Sequence, residues 1–331
     1  MSANAPAAQL GGVLERGGPR LRALLDATER RLREAAEGYG EALAAYVSET
    51  LAAGGKRLRP ILVFIAAGEA GGDELVEAGT AVELLHMATL VHDDVLDRAD
   101  LRRGRRTVYA SGGRAAATAT GDLLFSRAFA LLAATGNADA VRALSSASSA
   151  LARGELMQRD DAWDTGVTRE RYLERCRLKT ARLFEAACRL GALLGDPGPG
   201  AAEADLASFG ERIGLAFQLF DDVLDVSGPS ERTGKARGTD LLDGTVTLPL
   251  ILAREHDAEL AALDLRAEVR DTASAEALCD RIAATGALEE TRAEAAEHVA
   301  AAKALLAELE LGDSQRALLE LVADGVTERY A

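Results

Sequence analysis

The pentapeptide Asp-Asp-Val-Leu-Asp occupies residues 93–97 and recurs at residues 221–225, and each copy ends an apolar helical run. In a helix Asp93 and Asp97 stand at i and i+4, so their carboxylates project from one face about one turn apart. Like charges at that spacing repel each other. A bound divalent cation is the simplest reason for placing acids this way twice, and carboxylate oxygens suit Mg²⁺.

Apolar and basic neighbours distinguish these clusters from ordinary solvated helix faces. The apolar residues around the two copies are Leu90, Val91, Val95 and Leu96, and Phe217, Leu219, Phe220, Val223 and Leu224. The arginines that follow the first copy are Arg98, Arg102, Arg103, Arg105 and Arg106. Acids that hold a metal ion and arginines that bind phosphate suit one anionic ligand. Two such clusters that face each other across a cavity would hold a diphosphate between them, through metal.

Seven short motifs together give the sequence its resemblance to a known family. They are Gly-Gly-Lys-Arg-Leu-Arg-Pro at 54–60, His-Asp-Asp-Val-Leu-Asp at 92–97, Leu-Arg-Arg-Gly at 101–104, Gly-Glu-Leu-Met-Gln at 154–158, Lys-Thr at 179–180, Phe-Gln-Leu-Phe-Asp-Asp-Val-Leu-Asp at 217–225 and Thr-Leu-Pro-Leu at 247–250. Each motif alone is weak evidence for a family, but the order of the seven motifs and the distances between them are specific to one family. In these motifs the chain resembles the trans-isoprenyl (polyprenyl) diphosphate synthases, of the long-chain (hepta-, octa- and nonaprenyl-like) type.

Composition predicts an all-α protein. Of 331 residues only seven are proline and 4 % are aromatic, and Ala, Leu, Glu and Arg are abundant, which favours helix over sheet. No Pro/Gly/Ser-rich linker separates the helical segments, so we expect residues 1–18 to be a flexible lead-in and residues 19–331 to be a single domain. The resemblance implies an isoprenoid-synthase-type bundle of about ten or more helices around a central cavity.

Charge, hydropathy and cysteine content exclude several classes of protein. The net charge is −15 and no block of Lys/Arg is present, so no nucleic acid is expected as a partner. The longest apolar runs, such as residues 61–67, are far too short for a transmembrane segment. The three cysteines, Cys176, Cys188 and Cys279, have no metal-binding spacing. Together with the lack of a signal peptide, they predict a cytoplasmic protein.

The resemblance implies a role for each motif residue toward two substrates, isopentenyl diphosphate and an allylic diphosphate such as farnesyl or geranyl diphosphate. Isopentenyl diphosphate would be held by Lys56, Arg59, His86 and Arg103. The allylic diphosphate would be held by Arg102 and Lys179. Lys179, Thr180 and Gln218 would stand near the developing carbocation, and Lys235 belongs to a glycine-rich lid over the diphosphates at residues 228–244.

The resemblance also implies a metal centre, with about three Mg²⁺ ions per active site and Mn²⁺ as a possible substitute. The expected ligands are Asp93, Asp94 and Asp97, and Asp221, Asp222 and Asp225. Asp221 would bind metal directly, and Asp222 and Asp225 would be further or water-mediated ligands. We expect Asp93, Asp97, Asp221, Lys179 and Gln218 to be the catalytic residues. The chain departs from the family at Thr245, where lysine is common.

Small residues before the first triplet bear on product length. Ala88 and Thr89 precede Asp93, and each helix turn they leave open adds about 5 Å of channel, roughly one isoprene unit. These small residues predict a product of more than about fifteen carbons. Together with the family resemblance, they favour an all-trans polyprenyl diphosphate of about C30 to C50, with about C20 to C25 as the alternative. Phe125, Phe129 and Leu132 are candidates for the channel floor.

The sequence therefore predicts a homodimeric prenyltransferase that elongates an allylic diphosphate with isopentenyl diphosphate and releases pyrophosphate, with release of the product at a membrane possible. A class I terpene cyclase would carry an Asn/Asp-Ser/Thr-Glu motif in place of the second triplet. A non-catalytic subunit of a heteromeric synthase predicts eroded triplets, and both are intact here. Gly154, Gly210 and Gly214 lie inside helices, which predicts that another backbone or a ligand comes close to them.

Overall fold

The computed structural model describes residues 5–35, 37–196, 203–228 and 237–328. The described chain is almost entirely helical, which confirms the predicted all-α class. One small exception is a two-stranded antiparallel hairpin, β1 (Leu101–Arg102) and β2 (Arg105–Arg106), in the predicted loop after Asp100. No helix of the described residues is long and apolar enough to cross a membrane.

The helices that build the site come from the first two thirds of the chain. They are α1 (Ala5–Arg16), α2 (Gly18–Glu34), α3 (Glu41–Ala52), α4 (Leu58–Ala66), α5 (Asp73–Leu96), α6 (Val108–Ala134), α7 (Ala138–Asp160), α8 (Arg169–Cys176), α9 (Arg182–Leu194) and α10 (Glu203–Ser227). Between α8 and α9 the chain forms one π-helical turn, Arg177–Ala181. The sequence predicts a continuous helix there.

The remaining helices complete the shell. They are α11 (Thr239–Leu242), α12 (Leu248–His256), α13 (Ala258–Ala261), α14 (Leu265–Glu268), α15 (Thr272–Ala283), α16 (Ala287–Glu308) and α17 (Asp313–Glu328). Helix α10 packs between α9 and α16, and α17 packs against α16 and α1. One continuous hydrophobic core therefore runs through the described chain.

Helices α5 and α10 are the central elements because they are apolar on nearly every side. Along α5 the side chains from Leu75 to Leu85 are almost all buried, including two acids, Glu77 and Glu83. A helix that is apolar all round must be surrounded by other helices. Helix α5 is accordingly covered by α6, α2, α4 and α9. Both aspartate triplets thus lie at the C-terminal ends of rigid, deeply packed helices.

The predicted close approaches at helical glycines are confirmed. A Cβ atom on Gly154 would lie 2.6 Å from the backbone nitrogen of Lys179. One on Gly210 would lie 2.6 Å from the carbonyl oxygen of Phe184, and one on Gly214 would lie 2.6 Å from the Cα of Ala181. These glycines let α7 and α10 press against the π-helical turn and α9, which fixes the backbone that carries Lys179.

Three features near the beginnings of helices concern residues of the predicted lead-in, Pro60 and Thr168. Most of the predicted lead-in forms α1, in which Val13 is buried. Pro60 is the third residue of α4, a position that needs no intrahelical N–H partner. Thr168 caps α8, since its hydroxyl accepts a hydrogen bond from the backbone N–H of Arg171 at 3.3 Å.

Substitution of Gly214 by alanine tests the packing of α10 against the π-helical turn. The new methyl group would overlap backbone that cannot move aside, so we expect Gly214→Ala to lower the free energy of unfolding by about 1–3 kcal/mol in urea denaturation. Gly325→Ala in α17 is the control. Its Cβ would meet no atom within 4 Å, so we expect a gain of about 0.5–1 kcal/mol. Equal effects of the two substitutions would contradict the packing argument.

Candidate active site

A cavity of about 200 Å³ lies where the C-terminal parts of α5, α7 and α10 meet the π-helical turn. Both triplets reach it. Its lining residues are Asp93, Asp97, Arg102, Gln158, Arg159, Ala162, Tyr172, Arg175, Cys176, Lys179, Thr180, Gln218, Asp222, Thr239, Asp240, Asp243, Thr245 and Thr247. The cavity wall is thus polar and holds charges of both signs.

The first triplet divides between the cavity and the protein interior. Asp93 and Asp97 line the cavity, which confirms that they share one helix face. Asp94 is buried beside them and accepts a hydrogen bond from Nε of Arg102 at 2.8 Å. Asp97 is more exposed and forms an ion pair with Arg159 at 2.5 Å. Asp94 therefore orients Arg102, whereas Asp93 and Asp97 face the cavity.

Asp93 is a perturbed carboxyl in the first triplet. Burial raises its pKa to about 6, and the nearby acids Glu155 and Asp97 act in the same direction. Lys179 and Arg102 oppose the shift. The perturbation means that this carboxylate is costly to ionise in the protein alone and gains from any additional positive charge in the cavity.

The second triplet contributes Asp222 to the cavity wall. Asp222 accepts hydrogen bonds from the hydroxyl of Tyr172 at 2.5 Å and from Nε2 of Gln218 at 2.7 Å. Burial raises its pKa, as do Asp240 and Asp221, while the two hydrogen bonds oppose the shift. The Asp225 carboxylate accepts hydrogen bonds from the backbone N–H groups of Thr239 and Asp240, both at 3.2 Å.

Two of the predicted second-triplet ligands lie outside this lining. Asp221 is partly exposed on α10, and neither Asp221 nor Asp225 is among the described residues that line the cavity. Their predicted contact with metal stays a prediction. Lys235, the predicted lid residue, lies outside the described residues, as does the rest of segment 229–236.

The three residues predicted to stand near the carbocation, Lys179, Thr180 and Gln218, lie together in the structure. The hydroxyl of Thr180 donates a hydrogen bond to Oε1 of Gln218 at 2.7 Å. Lys179 stands next in the π-helical turn, and its ammonium forms an ion pair with Glu155 at 2.5 Å. π-helical turns are rare and often occur at functional sites. All three side chains line the cavity.

A second cluster of basic residues surrounds His86 on α5. Burial lowers its pKa well below the ordinary value, and Arg59, Arg103, Arg102 and Arg57 lower it further. The imidazole is therefore neutral at neutral pH. Four guanidinium groups that all act on one half-buried histidine create a strongly positive region, which suits an anionic ligand.

Arg59 is the central residue of this basic cluster. Its guanidinium carbon lies 4.6 Å from the centre of the Phe184 ring. Burial lowers its pKa to about 10, Glu83 opposes the shift and Arg103 adds to it. Its Nε is buried and has no hydrogen-bond partner within the part of the chain that the structure describes. A buried donor without a partner is unfavourable, so it gains from an anion.

The hairpin that carries Arg103 is joined to the glycine loop that carries Lys56. Arg103 donates a hydrogen bond to the carbonyl oxygen of Gly54. Arg57, in the same loop, forms ion pairs with two acids instead. Its guanidinium nitrogens lie 2.6 Å from the Glu29 carboxylate and 2.9 Å from the Glu83 carboxylate. The predicted set Lys56, Arg59, His86 and Arg103 therefore gathers near one place, with Lys56 exposed at its edge.

Three charged or polar cavity residues are absent from the sequence prediction, namely Arg159, Tyr172 and Arg175. Gln158, Asp240, Asp243 and Thr247 lie in segments that the sequence analysis singles out, and they also line the cavity. Arg159 bridges Asp97 and Glu155, with Nε 2.8 Å from the Glu155 carboxylate. Lys179 and Arg159 together lower the pKa of Glu155 although burial opposes them. The i, i+4 spacing of Glu155 and Arg159 is a signal for this pair, but nothing in the sequence indicates Tyr172.

The donor chemistry at the cavity fits magnesium. Among the residues that the structure describes, no three His, Cys, Asp or Glu side chains already form a metal-binding group. Mg²⁺ does not need one, because it binds through one or two carboxylates and completes its shell with water and substrate phosphate oxygens. Asp93 and Asp97 supply such carboxylates, and Asp222 faces the same space. The six-aspartate ligand set stays a prediction.

Comparison with known proteins decides the family. The family model described as polyprenyl synthetase matches residues 41–284. The chain belongs to the polyprenyl synthetase family. The resemblance read from the motifs, and the predicted prenyltransferase class, are thereby confirmed.

Individual relatives of this polyprenyl synthetase are similar over most of their length. It is 38 % identical over 300 residues to heptaprenyl diphosphate synthase component 2 of Geobacillus stearothermophilus, a match that covers 90 % of this chain and 93 % of the relative. It is 37 % identical over 258 residues to octaprenyl diphosphate synthase of Escherichia coli (strain K12), which covers 76 % and 80 % of the two chains.

A solved structure supports the same conclusion. The polyprenyl synthase of Caulobacter crescentus CB15, solved in complex with calcium and isoprenyl diphosphate, superposes with a TM-score of 0.86 at 35 % identity. The superposition covers 94 % of this chain and 98 % of that one. The all-α fold of the described residues is therefore the fold of a polyprenyl synthase.

The raised pKa of Asp93 predicts a pH-dependent stability effect in metal-free protein. The folded state keeps this proton up to about pH 6, while an unfolded aspartate loses it near 3.8. The folded state therefore binds more protons between these values, and stability falls as the pH rises through them. We expect Asp93→Asn to raise the melting temperature at pH 7 in EDTA, with a gain that diminishes as the pH falls toward 4.

The control for this measurement is Asp26→Asn, a substitution at an exposed position of α2. We expect it to leave the melting temperature unchanged at both pH values. A lower melting temperature for Asp93→Asn at pH 7 would show that the ionised carboxylate stabilises the metal-free fold, contrary to the burial argument.

Proposed function

We propose that this prenyltransferase lengthens an allylic diphosphate, farnesyl or geranyl diphosphate, by repeated condensation with isopentenyl diphosphate. The products are pyrophosphate and an all-trans polyprenyl diphosphate of C30–C50. One observation carries the proposal. Carboxylates of both triplets, Lys179 and Arg102 line a single cavity, and a basic cluster around Arg59 and His86 adjoins the same helix, α5. Two anionic sites of this kind suit two diphosphate substrates.

The allylic diphosphate belongs at the cavity. Mg²⁺ bound by Asp93, Asp97 and the second triplet would neutralise the charge that develops on the leaving diphosphate. Arg102 is held ready by buried Asp94 at 2.8 Å, so its remaining donors are oriented before the substrate arrives. Lys179 is paired with Glu155 at 2.5 Å. A diphosphate carries more charge than that one carboxylate and competes for the ammonium group.

Isopentenyl diphosphate belongs at the basic cluster. Arg59 offers a buried Nε that has no partner within the described chain, and a phosphate oxygen would satisfy it. His86 is neutral, because its pKa is lowered by burial and by arginines. It therefore acts as a hydrogen-bond donor and adds no further charge. Lys56 and Arg103 complete the predicted set.

The chemistry follows from holding both substrates in this arrangement. The allylic C–O bond breaks, and its electron pair leaves with pyrophosphate. The π electrons of isopentenyl diphosphate form the new C–C bond with the allylic cation. A proton then passes to pyrophosphate, and the C–H electrons form the new double bond, so the chain is five carbons longer.

The protein protects and orients this reaction and forms no covalent bond to substrate. Thr180 and Gln218, joined by a 2.7 Å hydrogen bond, present oxygen atoms to the cavity. Oxygen lone pairs stabilise a nearby carbocation without capturing it when their geometry is fixed. The close packing of Gly154 against Lys179 keeps the backbone of the π-helical turn in place. Exclusion of water protects the cation from hydrolysis.

Helices α5 and α6 bound the proposed hydrocarbon channel. Leu85 and Ala88 are buried and Thr89 is half-buried. On α6, Phe125 stacks on His92 with ring centres 5.6 Å apart, which fixes Phe125 at the level of the first triplet. The helix continues through Phe129 to Leu132, which remain candidates for the floor. The absence of a bulky side chain at Thr89 supports a long product.

Assembly and location are also proposals. We infer a homodimer located in the cytoplasm, with release of the product at a membrane possible. The relative named as component 2 of a heptaprenyl synthase makes a second, heteromeric subunit an alternative to a homodimer. Size-exclusion chromatography with light scattering on the purified chain distinguishes a homodimer from a monomer that awaits a partner.

The direct test of function is elongation by the purified chain alone. The enzyme is incubated with Mg²⁺, farnesyl diphosphate and labelled isopentenyl diphosphate, and the labelled products are sized. Products of C30–C50 support the proposal. Shorter products correct the chain length, cyclic hydrocarbons indicate a terpene cyclase, and no products from folded protein indicate a subunit that needs a partner.

Removal of a proposed metal-binding carboxylate tests the catalytic roles. We expect Asp93→Ala and Asp221→Ala each to lower kcat/KM by about a hundredfold or more, because charge on the leaving diphosphate is no longer neutralised. Asp26→Ala, at an exposed position of α2, is the control and keeps normal activity. Near-normal turnover in the Asp93 or Asp221 variant contradicts the assignment of that residue.

Enlargement of Thr89 tests the channel. We expect Thr89→Phe to shorten the product by about one isoprene unit or more, because the ring occupies the length of one helix turn. Thr89→Val has nearly the volume of threonine and should leave the product length unchanged. Chromatographic sizing of the labelled products gives the result, and equal product lengths for both variants would place the channel elsewhere.

A further inference from the structure

One wall of the cavity is formed by the segment from α11 to the start of α12. The described residues of this segment that line the cavity are Thr239, Asp240, Asp243, Thr245 and Thr247. These five residues carry carboxylate or hydroxyl groups, and none of the five is basic. Thr245 stands where the resemblance leads one to expect lysine. A diphosphate against this wall therefore needs positive charge from a neighbouring element.

Arg175 on α8 is the basic residue in contact with this wall. It is only 3 % exposed, yet it lines the cavity. Its guanidinium donates a hydrogen bond to the carbonyl oxygen of Val246, between Thr245 and Thr247. The same group lies 5.4 Å from the centre of the Tyr172 ring, whose hydroxyl binds Asp222. Arg175 thus contacts backbone that presents two threonines to the cavity.

The charge of Arg175 is only partly neutralised. Its partner Asp161 is 2 % exposed and lies 3.1 Å from Nη1 of Arg175. Asp161 is shared, because Nε of Arg171 lies 2.5 Å from its other oxygen. Asp161 therefore does not serve Arg175 alone, although Arg171 is half-exposed and its own charge is screened by solvent. The Arg175 guanidinium is buried, where a charge acts strongly on a nearby anion.

A second contact fixes the same segment. The backbone N–H of Trp163 donates to the carbonyl oxygen of Gly244 at 2.7 Å. Gly244 has a φ of +70° and lies against the Trp163 indole, so a side chain there would collide. The connection from α7 to α8 thus holds residue 244, and Arg175 on α8 holds residue 246. Backbone restrained at two points keeps its side chains oriented for a ligand.

We propose that Arg175 is a positioning residue for the diphosphate. It holds the Thr245–Thr247 backbone against the cavity and supplies this wall with the positive charge that its own residues lack. The inference rests on the proposed function, and it adds a residue that the motif analysis does not contain. Arg171, which shares Asp161 but does not line the cavity, has no such role.

The test removes the positive charge of Arg175 and then places a new positive charge at position 245. In Arg175→Met/Asp161→Asn both partners of the buried pair are replaced, so no buried charge is left uncompensated. Binding of inorganic pyrophosphate at saturating Mg²⁺, measured by calorimetry, should weaken about tenfold or more. Addition of Thr245→Lys to this variant places an ammonium group beside Val246 and should restore most of the lost affinity.

Arg171→Met is the control, because it removes the half-exposed guanidinium that shares Asp161 but leaves the buried Arg175–Asp161 pair and the Val246 hydrogen bond in place. We expect wild-type pyrophosphate affinity, and circular dichroism melting curves report the stability of each variant. Two results overturn the proposal: unchanged affinity in the Arg175 variant, or a loss that Thr245→Lys does not reverse. Failure of the proposed function is distinct, because the wild-type enzyme would then elongate no farnesyl diphosphate.

Discussion

Mutual repulsion among carboxylates is the constraint on which this structure depends. Asp93, Asp97 and Asp222 open on one cavity of about 200 Å³, and burial makes the charges of Asp93 and Asp222 more costly than they are in water. Such an arrangement persists only if the surrounding fold is stable enough to impose it. The deep packing of α5 and α10, with glycine contacts against α9 and the π-helical turn, provides that stability.

Basic residues around the cavity balance the acids in the absence of a ligand. Arg159 pairs with Asp97, Lys179 pairs with Glu155, and Arg102 pairs with Asp94. In each pair at least one partner lines the cavity. The basic cluster at Arg59 and His86 differs, since its positive charges outnumber the nearby acids. This difference in charge agrees with the proposed function, in which one site takes an anion that brings metal and the other takes an anion without metal.

Much of the site follows from sequence because local spacing determines it. The i, i+4 relation of Asp93 and Asp97 places both on one helix face, and glycines inside helices predict close backbone contacts. The remainder depends on tertiary partners that local pattern does not encode. Nothing near Tyr172 indicates that it meets Asp222 across fifty residues of chain, and Arg175 resembles any charged residue near a helix end. The π-helical turn likewise has no signal of its own.

Asp225 has a consequence that reaches beyond its own triplet. Its carboxylate accepts hydrogen bonds from the first two backbone N–H groups of α11, at 3.2 Å each. One side chain therefore joins the second triplet to the segment that lines one wall of the cavity. A cation that draws this carboxylate away weakens that attachment, and tighter closure of the segment lowers its availability to a cation. By thermodynamic linkage the two events must influence each other equally. Under the proposed metal role of Asp225, loosening of the α11 segment and metal occupancy would form a single coupled equilibrium, and product departure and ion departure would not be independent steps.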